Sequence, residues 1–276
     1  MGLRINHNIT SLTAQRNLTR TDQMMAKSLE RLSSGLKINR AADNPAGLVI
    51  SEQMRAQIAG LEQAIENSER GVTFAQVADG ALVEVNAILI QLRQLALDSA
   101  NEGVNDANAM SANQSEVVNA LAAIDRVHAN TQYATKSVFS GSVYTFQIGA
   151  NAGQTATINF GQIATSILAT GALATIDVTS ATLATAALSV IDSAITQVAT
   201  LRGNIGSFQK NTLETNIANL RVSFENLTAA ESTVRDADFA GEMAEFTRSQ
   251  ILVQAGTAML AYANQGPSAV LSLLQS

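Results

Sequence analysis

Residues 82–96 read LVEVNAILIQLRQLA, a stretch in which apolar side chains recur at alternating steps of three and four residues. The average step is about 3.5 residues, which is the spacing of a coiled-coil seam along an α-helix. The same spacing recurs in five further windows, at residues 25–36, 58–72, 117–124, 188–198 and 213–234. The windows form one block before residue 125 and another after residue 187. This pattern predicts a mainly α fold of long antiparallel helical rods, packed as a coiled-coil-like bundle.

The predicted rods end where the chain carries turn residues. Residues 33–35 (SSG) end the first helix, because glycine is costly inside a helix and easily accommodated in a turn. Residues 43–45 (DNP) are typical of a helix cap followed by proline at the first helical position. Since no comparable break follows, residues 45–100 predict one helix on the order of 80 Å long, and residues 101–106 predict the turn after it.

The middle of the chain differs in composition from both flanks. Residues 137–201 contain no Lys or Arg, and their first half is rich in Thr, Gly, Ala and Ile. Residues 144–148 (YTFQI) and 156–160 (ATINF) alternate with period two, which predicts a small β-hairpin insert. Residues 176–179 (IDVT) are compatible with another short strand, and the helical period resumes after about Thr182.

The composition argues against several functional classes. The net charge is −6 without a basic patch, so nucleic acid is not an expected partner. Cysteine is absent, which excludes disulfides, thiolate metal sites and a cysteine nucleophile. His7 and His128 lie far apart in the sequence, and no convergent polar constellation is visible. We therefore expect no metal site, no cofactor and no enzymatic activity.

Targeting signals are not evident either. Residues 1–6 show no basic region followed by an apolar run, so no cleaved signal peptide is expected. No apolar run approaches the ~20 residues that span a bilayer, so we expect no membrane insertion.

Both ends of the chain carry apolar stripes, although chain termini are usually polar. A thin rod has little interior to cover such stripes, so we expect them to lack a partner within the chain. Other molecules would then bury them, as in a helical filament whose head-to-tail contacts do not close. Because isolated helices are marginal in water, we expect the ends to be disordered in the free subunit and to order on polymerisation. The stripes comprise Leu3, Ile5, Ile9, Leu12 and Leu18, then Phe239, Met243, Phe246, Ile251, Leu252, Met259, Leu260 and residues 270–274 (VLSLL).

Several different short motifs lie at both ends of the chain and beside the predicted hairpin. Those of the first half are 11–18 (SLTAQRNL), 31–39 (RLSSGLKIN), 92–96 (LRQLA), 124–127 (IDRV) and 146–153 (FQIGANAG). Those of the second half are 226–232 (NLTAAES), 236–240 (DADFA), 254–257 (QAGT) and 270–274 (VLSLL). Together they resemble the bacterial flagellins, and the chain looks like a short member of that family with little variable outer region.

The resemblance implies a domain division and a function. Residues 1–44 and 233–276 would form an inner terminal-helix domain lining the filament channel, and residues 45–232 an outer rod domain with a β-hairpin region at about 140–181. The chain would be a structural subunit that polymerises into the extracellular flagellar filament for swimming motility, after export in an unfolded state and assembly at the filament tip. The alternative is a hook–filament junction protein of the flagellum, which shares flagellin-like ends.

The resemblance also implies partners and contact residues. The partners are other copies of the chain, an export chaperone, a cap protein and a hook-associated junction protein. Taken alone, residues 31–39 favour a plain helix connection, and Asp236 and Asp238 favour caps of the final helix. The residues implied as polymer contacts are Arg31, Leu32, Ser33, Ser34, Gly35, Ile38, Asn39, Asp43, Asp236, Asp238, Leu271, Leu273 and Leu274.

A second surface is implied by the recognition of many flagellins by animal innate receptors. It would comprise Gln91, Arg93, Leu95 and Glu116 of this chain. The recognised flagellins carry an arginine at the place of Gln91, and glutamine cannot supply the charged planar fork of that side chain. The resemblance therefore predicts weakened receptor activation here.

Overall fold

The computed structural model describes residues 7–274, with side chains described for residues 7–265. In this range it contains six α-helices: α1 (Ile9–Ser34), α2 (Pro45–Ser99), α3 (Ala107–Asn130), α4 (Ala181–Ser207), α5 (Thr215–Arg235) and α6 (Phe239–Leu274). The strands in this range are β1 (Gln132–Tyr133), β2 (Lys136–Ser137), β3 (Val143–Gln147) and β4 (Thr155–Asn159). The predicted fold class, mainly α with a small β-hairpin insert, is confirmed.

The helix boundaries agree with the turn residues. The backbone of Gly35 is left-handed, with φ of 72°, and its N–H donates to the carbonyl of Arg31 at 2.8 Å, which ends α1. The side chain of Asn44 accepts from the Gly47 N–H at 3.0 Å, and Pro45 is the first residue of α2. Both features follow from the backbone preferences of glycine and proline.

The chain divides into two compact units. The terminal unit contains the described residues up to 56 and from 226 onward, and the central unit contains residues 57–225.

The core of the central unit forms around the seam that residues 82–96 predict. Leu82, Val85, Leu89, Leu92 and Ala96 are all fully buried. They share one hydrophobic cluster with further buried residues from α3 and α4, among them Val117, Leu121, Ile124, Ile191 and Val198. The apolar spacing of α2 therefore provides the main packing surface of this unit.

The predicted hairpin is formed by β3 and β4, each one residue earlier than expected. The two strands pair antiparallel, with Phe146 opposite Ala156. The hairpin packs on the core through aromatic rings around Phe74, whose centroid lies between 4.9 and 5.9 Å from those of four neighbours. These neighbours are Tyr133, Tyr144, Phe146 and Phe160.

The short strand with which residues 176–179 are compatible does not form. This segment is extended, but a side chain takes the place of a partner strand. The amide of Gln114 accepts from the Val178 N–H at 2.8 Å and donates to the Ile176 carbonyl at 3.3 Å. Because α3 satisfies the backbone in this way, no ladder forms, and α4 begins at Ala181 behind its cap Ser180.

Two local features escape the sequence reasoning. The β1–β2 hairpin turns through Ala134 and Thr135, both with positive φ, although neither is glycine. Between α4 and α5, residues 208–214 wind as a π-helical turn. Neither feature has the glycine or proline that usually marks a turn or a break.

The terminal unit is built on the antiparallel packing of α1 and α6. At one end of the pair, Asn8 donates to the Ala263 carbonyl at 2.8 Å, and the Ser11 hydroxyl donates to Asn264 at 2.7 Å. The expectation that the terminal stripes have no partner within the chain is therefore wrong for α1 and α6. Most stripe residues nevertheless stay exposed, and the side chains of 1–6 and 266–276 lie outside the described residues.

Within the described part of the chain, two stretches of helix are long and apolar enough to cross a membrane by length and composition alone. They are Pro45–Ser99 and Ala181–Arg235. The expectation that no segment approaches a membrane span was thus too strong. The observation is weak evidence for a membrane, because core helices pass the same test, and both stretches carry buried core residues such as Leu92 and Ile191.

Two leucines on α2 test the role of the seam. Leu92→Ala should lower the free energy of unfolding by about 2–5 kcal/mol, since it removes a fully buried side chain. Leu97→Ala, on the exposed side of the same helix, should change it by about 0.5 kcal/mol or less. Urea unfolding followed by circular dichroism measures both, and equal losses would contradict the assigned seam.

Candidate functional site

The two connections of the terminal unit meet in the region of the proposed polymer contacts. One connection joins α1 to α2 and the other joins α5 to α6. The Lys37 N–H donates to the Arg235 carbonyl at 2.7 Å, and the Ala237 N–H donates to the Gly35 carbonyl at 2.9 Å. Leu36 and Asp236 thereby form an isolated antiparallel bridge. The bridge brings the contacts proposed at residues 31–39 together with Asp236 and Asp238, whereas Leu271, Leu273 and Leu274 lie at the far end of α6.

Arg31 and Glu242 fasten the second end of the α1–α6 pair. Arg31 Nη1 lies 2.6 Å from Glu242 Oε1, and both side chains are largely buried. Glu242 lies in the first turn of α6, where the helix dipole favours a negative charge. Arg235 forms a second ion pair, 2.6 Å from Glu52 at the start of α2. Arg31 therefore has a clear role inside its own chain.

Asp43 organises the α1–α2 connection. Its carboxylate lies 2.7 Å from Lys27 Nζ and accepts from the Arg40 and Asn39 N–H groups at 3.1 and 3.3 Å. The hydrogen bond from Lys27, followed by the one from the Arg40 backbone, lowers the pKa of Asp43 to about 2. The same connection buries Ile38, which is only 2% exposed. These residues hold the chain reversal in one conformation.

The other proposed contacts differ in exposure. Ser33 and Ser34 are exposed at the end of α1, while Leu32 and Asn39 are half-buried. Asp238 caps α6 by accepting from the Ala240 and Gly241 N–H groups, as the cap interpretation predicts. Asp236, which forms the bridge with Leu36, has an exposed side chain. Leu271, Leu273 and Leu274 lie in α6, but their side chains lie outside the described residues.

Sequence reasoning missed the charged partners Lys27, Glu52, Arg235 and Glu242. Each pairs with a residue far away in the sequence or across a turn, so no local spacing predicts it. The sequence offers one weak signal for these partners, because Glu242 lies in the first turn of the helix that follows Asp238.

The four residues of the proposed receptor surface make different contacts within the central unit. Gln91 donates to Glu116 at 2.9 Å, which joins α2 to α3. Arg93 instead lies 2.7 Å from Asp192 on α4. Leu95 is half-buried against the core. The arrangement engages both Gln91 and Arg93 in contacts within the chain.

The described residues contain no group of three or more His, Cys, Asp or Glu side chains that could hold a metal ion. His7 is exposed, and His128 is half-buried on α3. Asp125, near the end of α3, accepts from the Thr165 N–H and hydroxyl at 2.9–3.0 Å. These hydrogen bonds anchor the irregular segment around Thr165.

The left-handed conformation of Gly35 is testable. Gly35→Ala should lower the free energy of unfolding by about 1–2 kcal/mol, because an added methyl meets no atom within 4 Å and only the backbone strain remains. Gly80→Ala, inside α2 and equally unobstructed, should raise it by about 0.5–1 kcal/mol. Denaturant unfolding compares the two variants, and a stabilising Gly35→Ala would contradict the assigned cap.

The lowered pKa of Asp43 predicts a pH dependence. Its contribution to stability should be fully present above its ordinary pKa of 3.8 and be lost as the pH falls through about 2. The unfolding midpoints of the wild type and Asp43→Asn should therefore differ at pH 5 and converge at roughly pH 2. A difference that stays constant over this range would contradict the Lys27–Asp43 contact.

Comparison with known proteins gives the family. Residues 5–144 match the bacterial flagellin N-terminal helical region, and residues 188–274 match the bacterial flagellin C-terminal helical region. A flagellin of Halalkalibacterium halodurans is 45% identical over 98% of this chain and 99% of its own length. A flagellin of Bacillus subtilis is 42% identical over 99% of this chain and 100% of its own length.

A further relative is named as a component of the filament itself. The flagellar filament 33 kDa core protein of Treponema phagedenis is 39% identical over 98% of this chain and 99% of its own length. The matched regions include both connections of the terminal unit and both helices of its antiparallel pair. The chain therefore belongs to the bacterial flagellin family.

Proposed function

We propose that this chain is the structural subunit of a flagellar filament and acts by polymerising through its terminal unit. The observation that carries this proposal is the apolar surface of the α1–α6 pair. Among the described side chains of these helices, nine large apolar ones are each at least 46% exposed, one of them Leu29 on α1. The other eight are Ile9, Leu12, Phe239, Met243, Ile251, Leu252, Met259 and Tyr262.

Part of this surface forms an apolar groove of about 660 Å³ between the two helices. Its lining includes Ile9, Leu18, Leu252 and Met259. Contiguous exposed apolar surface of this kind marks an interaction site. At ~25 cal/mol per Å², the burial of ~1,000 Å² of apolar area would contribute roughly 25 kcal/mol before ordering costs.

The interior of the α1–α6 pair supports the coupling of folding to assembly. The described buried positions on the two helices are Thr21, Ser28 and Ser249, which bear hydroxyls instead of large apolar groups. Gly256 approaches Leu18 so closely that an added Cβ would lie 3.1 Å from it. Because the pair buries little apolar area of its own, we propose that neighbouring subunits complete its core and that the ends order on polymerisation.

The two-domain division is part of the proposal. Residues 1–44 with 233–276 would form the inner domain that lines the channel, and residues 45–232 the outer domain. The compact units support a division of this type, although their boundaries lie at residues 56 and 226.

The proposed polymer contacts fall into residues that shape the connections of their own chain and residues that are exposed. Arg31, Ile38 and Asp43 shape the connections of their own chain, so we propose that they present the contact surface. Ser33, Ser34, Asp236 and Asp238 are exposed and would meet a neighbouring subunit directly. Exposure and proximity to the bridge support this assignment.

We also propose export in an unfolded state to the extracellular filament, with an export chaperone, a cap protein and a hook-associated junction protein as partners. Family membership supports this route, and the lack of cysteine means that no disulfide obstructs unfolding. For the receptor surface, the engagement of Gln91 by Glu116 supports weakened activation. Nothing in the comparisons favours the junction protein as the function of the chain.

Charge substitution on the α1–α6 surface tests the proposal. Ile251→Asp should raise the monomer concentration needed to elongate filament seeds at least about tenfold, since burial of an unpaired carboxylate is costly. Val104→Asp is the matched control, because Val104 is an 80% exposed valine in the α2–α3 connection of the central unit. Sedimentation and electron microscopy would measure the polymer.

The control should elongate seeds as the wild type does. Equal elongation by the two variants would place the contact surface elsewhere. A wild type that forms only short caps on the seeds would support the junction protein instead.

A further inference from the structure

Among the described residues of the terminal unit, three methionines are exposed. Met24, Met243 and Met259 are 36%, 49% and 63% exposed. By contrast, Met110 in the central unit is only 7% exposed. The chain contains seven methionines and no cysteine, so thioethers are its only sulfur groups.

Each of the three lies within the α1–α6 surface. Met259 lines the apolar groove together with Ile9 and Leu252. Met243 lies on α6 close to its start, among the exposed apolar side chains. Met24 borders a smaller cleft of about 200 Å³ with Arg31 and Glu242, the ion pair that fastens the helices. A polarity change at these sulfurs would therefore alter the surface that assembly buries.

We propose that Met24, Met243 and Met259 are sites of oxidation by peroxides and that their oxidation prevents the free subunit from joining a filament. The thioether sulfur attacks one peroxide oxygen, an S–O bond forms, and the O–O bond breaks. With hydrogen peroxide the second oxygen leaves as water, so sulfur loses two electrons and the peroxide gains them. The product is methionine sulfoxide, a polar side chain that disrupts apolar interfaces.

The inference rests on the proposed function, because the α1–α6 surface must be buried between subunits for the effect to occur. The same requirement restricts when oxidation can happen. In the free subunit the three sulfurs are accessible, whereas neighbouring subunits would cover them in the filament. Oxidation is thus selective for subunits that are not yet assembled, and reduction of the sulfoxide would restore them.

The first experiment treats purified monomer with hydrogen peroxide and locates added oxygen by peptide mass spectrometry. Met24, Met243 and Met259 should oxidise before Met110. The treated monomer should need an at least about tenfold higher concentration to elongate seeds, equivalent to 1.4 kcal/mol per tenfold. The same treatment of finished filaments should oxidise Met259 at least tenfold more slowly than in the monomer.

Variants separate the three sites from the rest of the chain. The triple variant Met24→Leu, Met243→Leu and Met259→Leu keeps side-chain volume and should elongate seeds after peroxide treatment. Met110→Leu is the matched control and should remain as sensitive as the wild type. Met259→Gln, which imitates the polarity of the sulfoxide, should impair elongation without peroxide.

The outcomes distinguish this inference from the proposed function. If monomer carrying the three sulfoxides elongates seeds at the untreated concentration, the inference fails while the filament function stands. If the triple leucine variant loses elongation as the wild type does, the three sites are not responsible and the inference fails. If untreated wild type does not elongate seeds at all, the proposed function fails and the inference fails with it.

Discussion

The antiparallel packing of α6 along α1 joins the two ends of the chain, and the terminal unit is arranged around it. Polar contacts fasten both ends of the pair, through Asn8 and Ser11 at one end and the Arg31–Glu242 ion pair at the other. Between them the pair buries hydroxyl side chains and leaves large apolar ones exposed. Hydrogen bonds and one ion pair specify alignment but contribute modest net stability. The geometry therefore positions an apolar surface that a single chain does not cover.

The two units distribute apolar side chains in opposite ways. In the central unit, Leu82, Leu89 and Leu92 are completely enclosed with side chains of α3 and α4, and the aromatic cluster of Phe74 secures the hairpin. In the terminal unit, Ile251 and Met259 are exposed by 60% or more. Burial in the first case is a property of the chain, whereas in the second we propose that further copies supply it. This difference connects the fold to polymerisation, since the apolar area left by folding is what assembly can bury.

Much of the fold follows from local sequence, and the failures have identifiable physical causes. The spacing of residues 82–96 predicts the seam, and Gly35 and Pro45 mark helix ends, because these signals depend on backbone geometry and periodicity alone. The strand expected at 176–179 does not form, because the Gln114 amide bonds its backbone. The site was predictable only in part. Its motifs locate the two connections, but the Arg31–Glu242 and Lys27–Asp43 pairs depend on tertiary packing that no spacing encodes.

A helical reconstruction by electron cryomicroscopy of filaments assembled from this chain tests the central claim most directly. The account predicts that α1 and α6 of each subunit remain paired and that Leu12, Ile251 and Met259 are covered by neighbouring subunits. It also predicts that Ser33 and Asp238 lie at a subunit boundary. Filaments in which these apolar side chains face solvent, with the contacts made by other surfaces, would contradict the account.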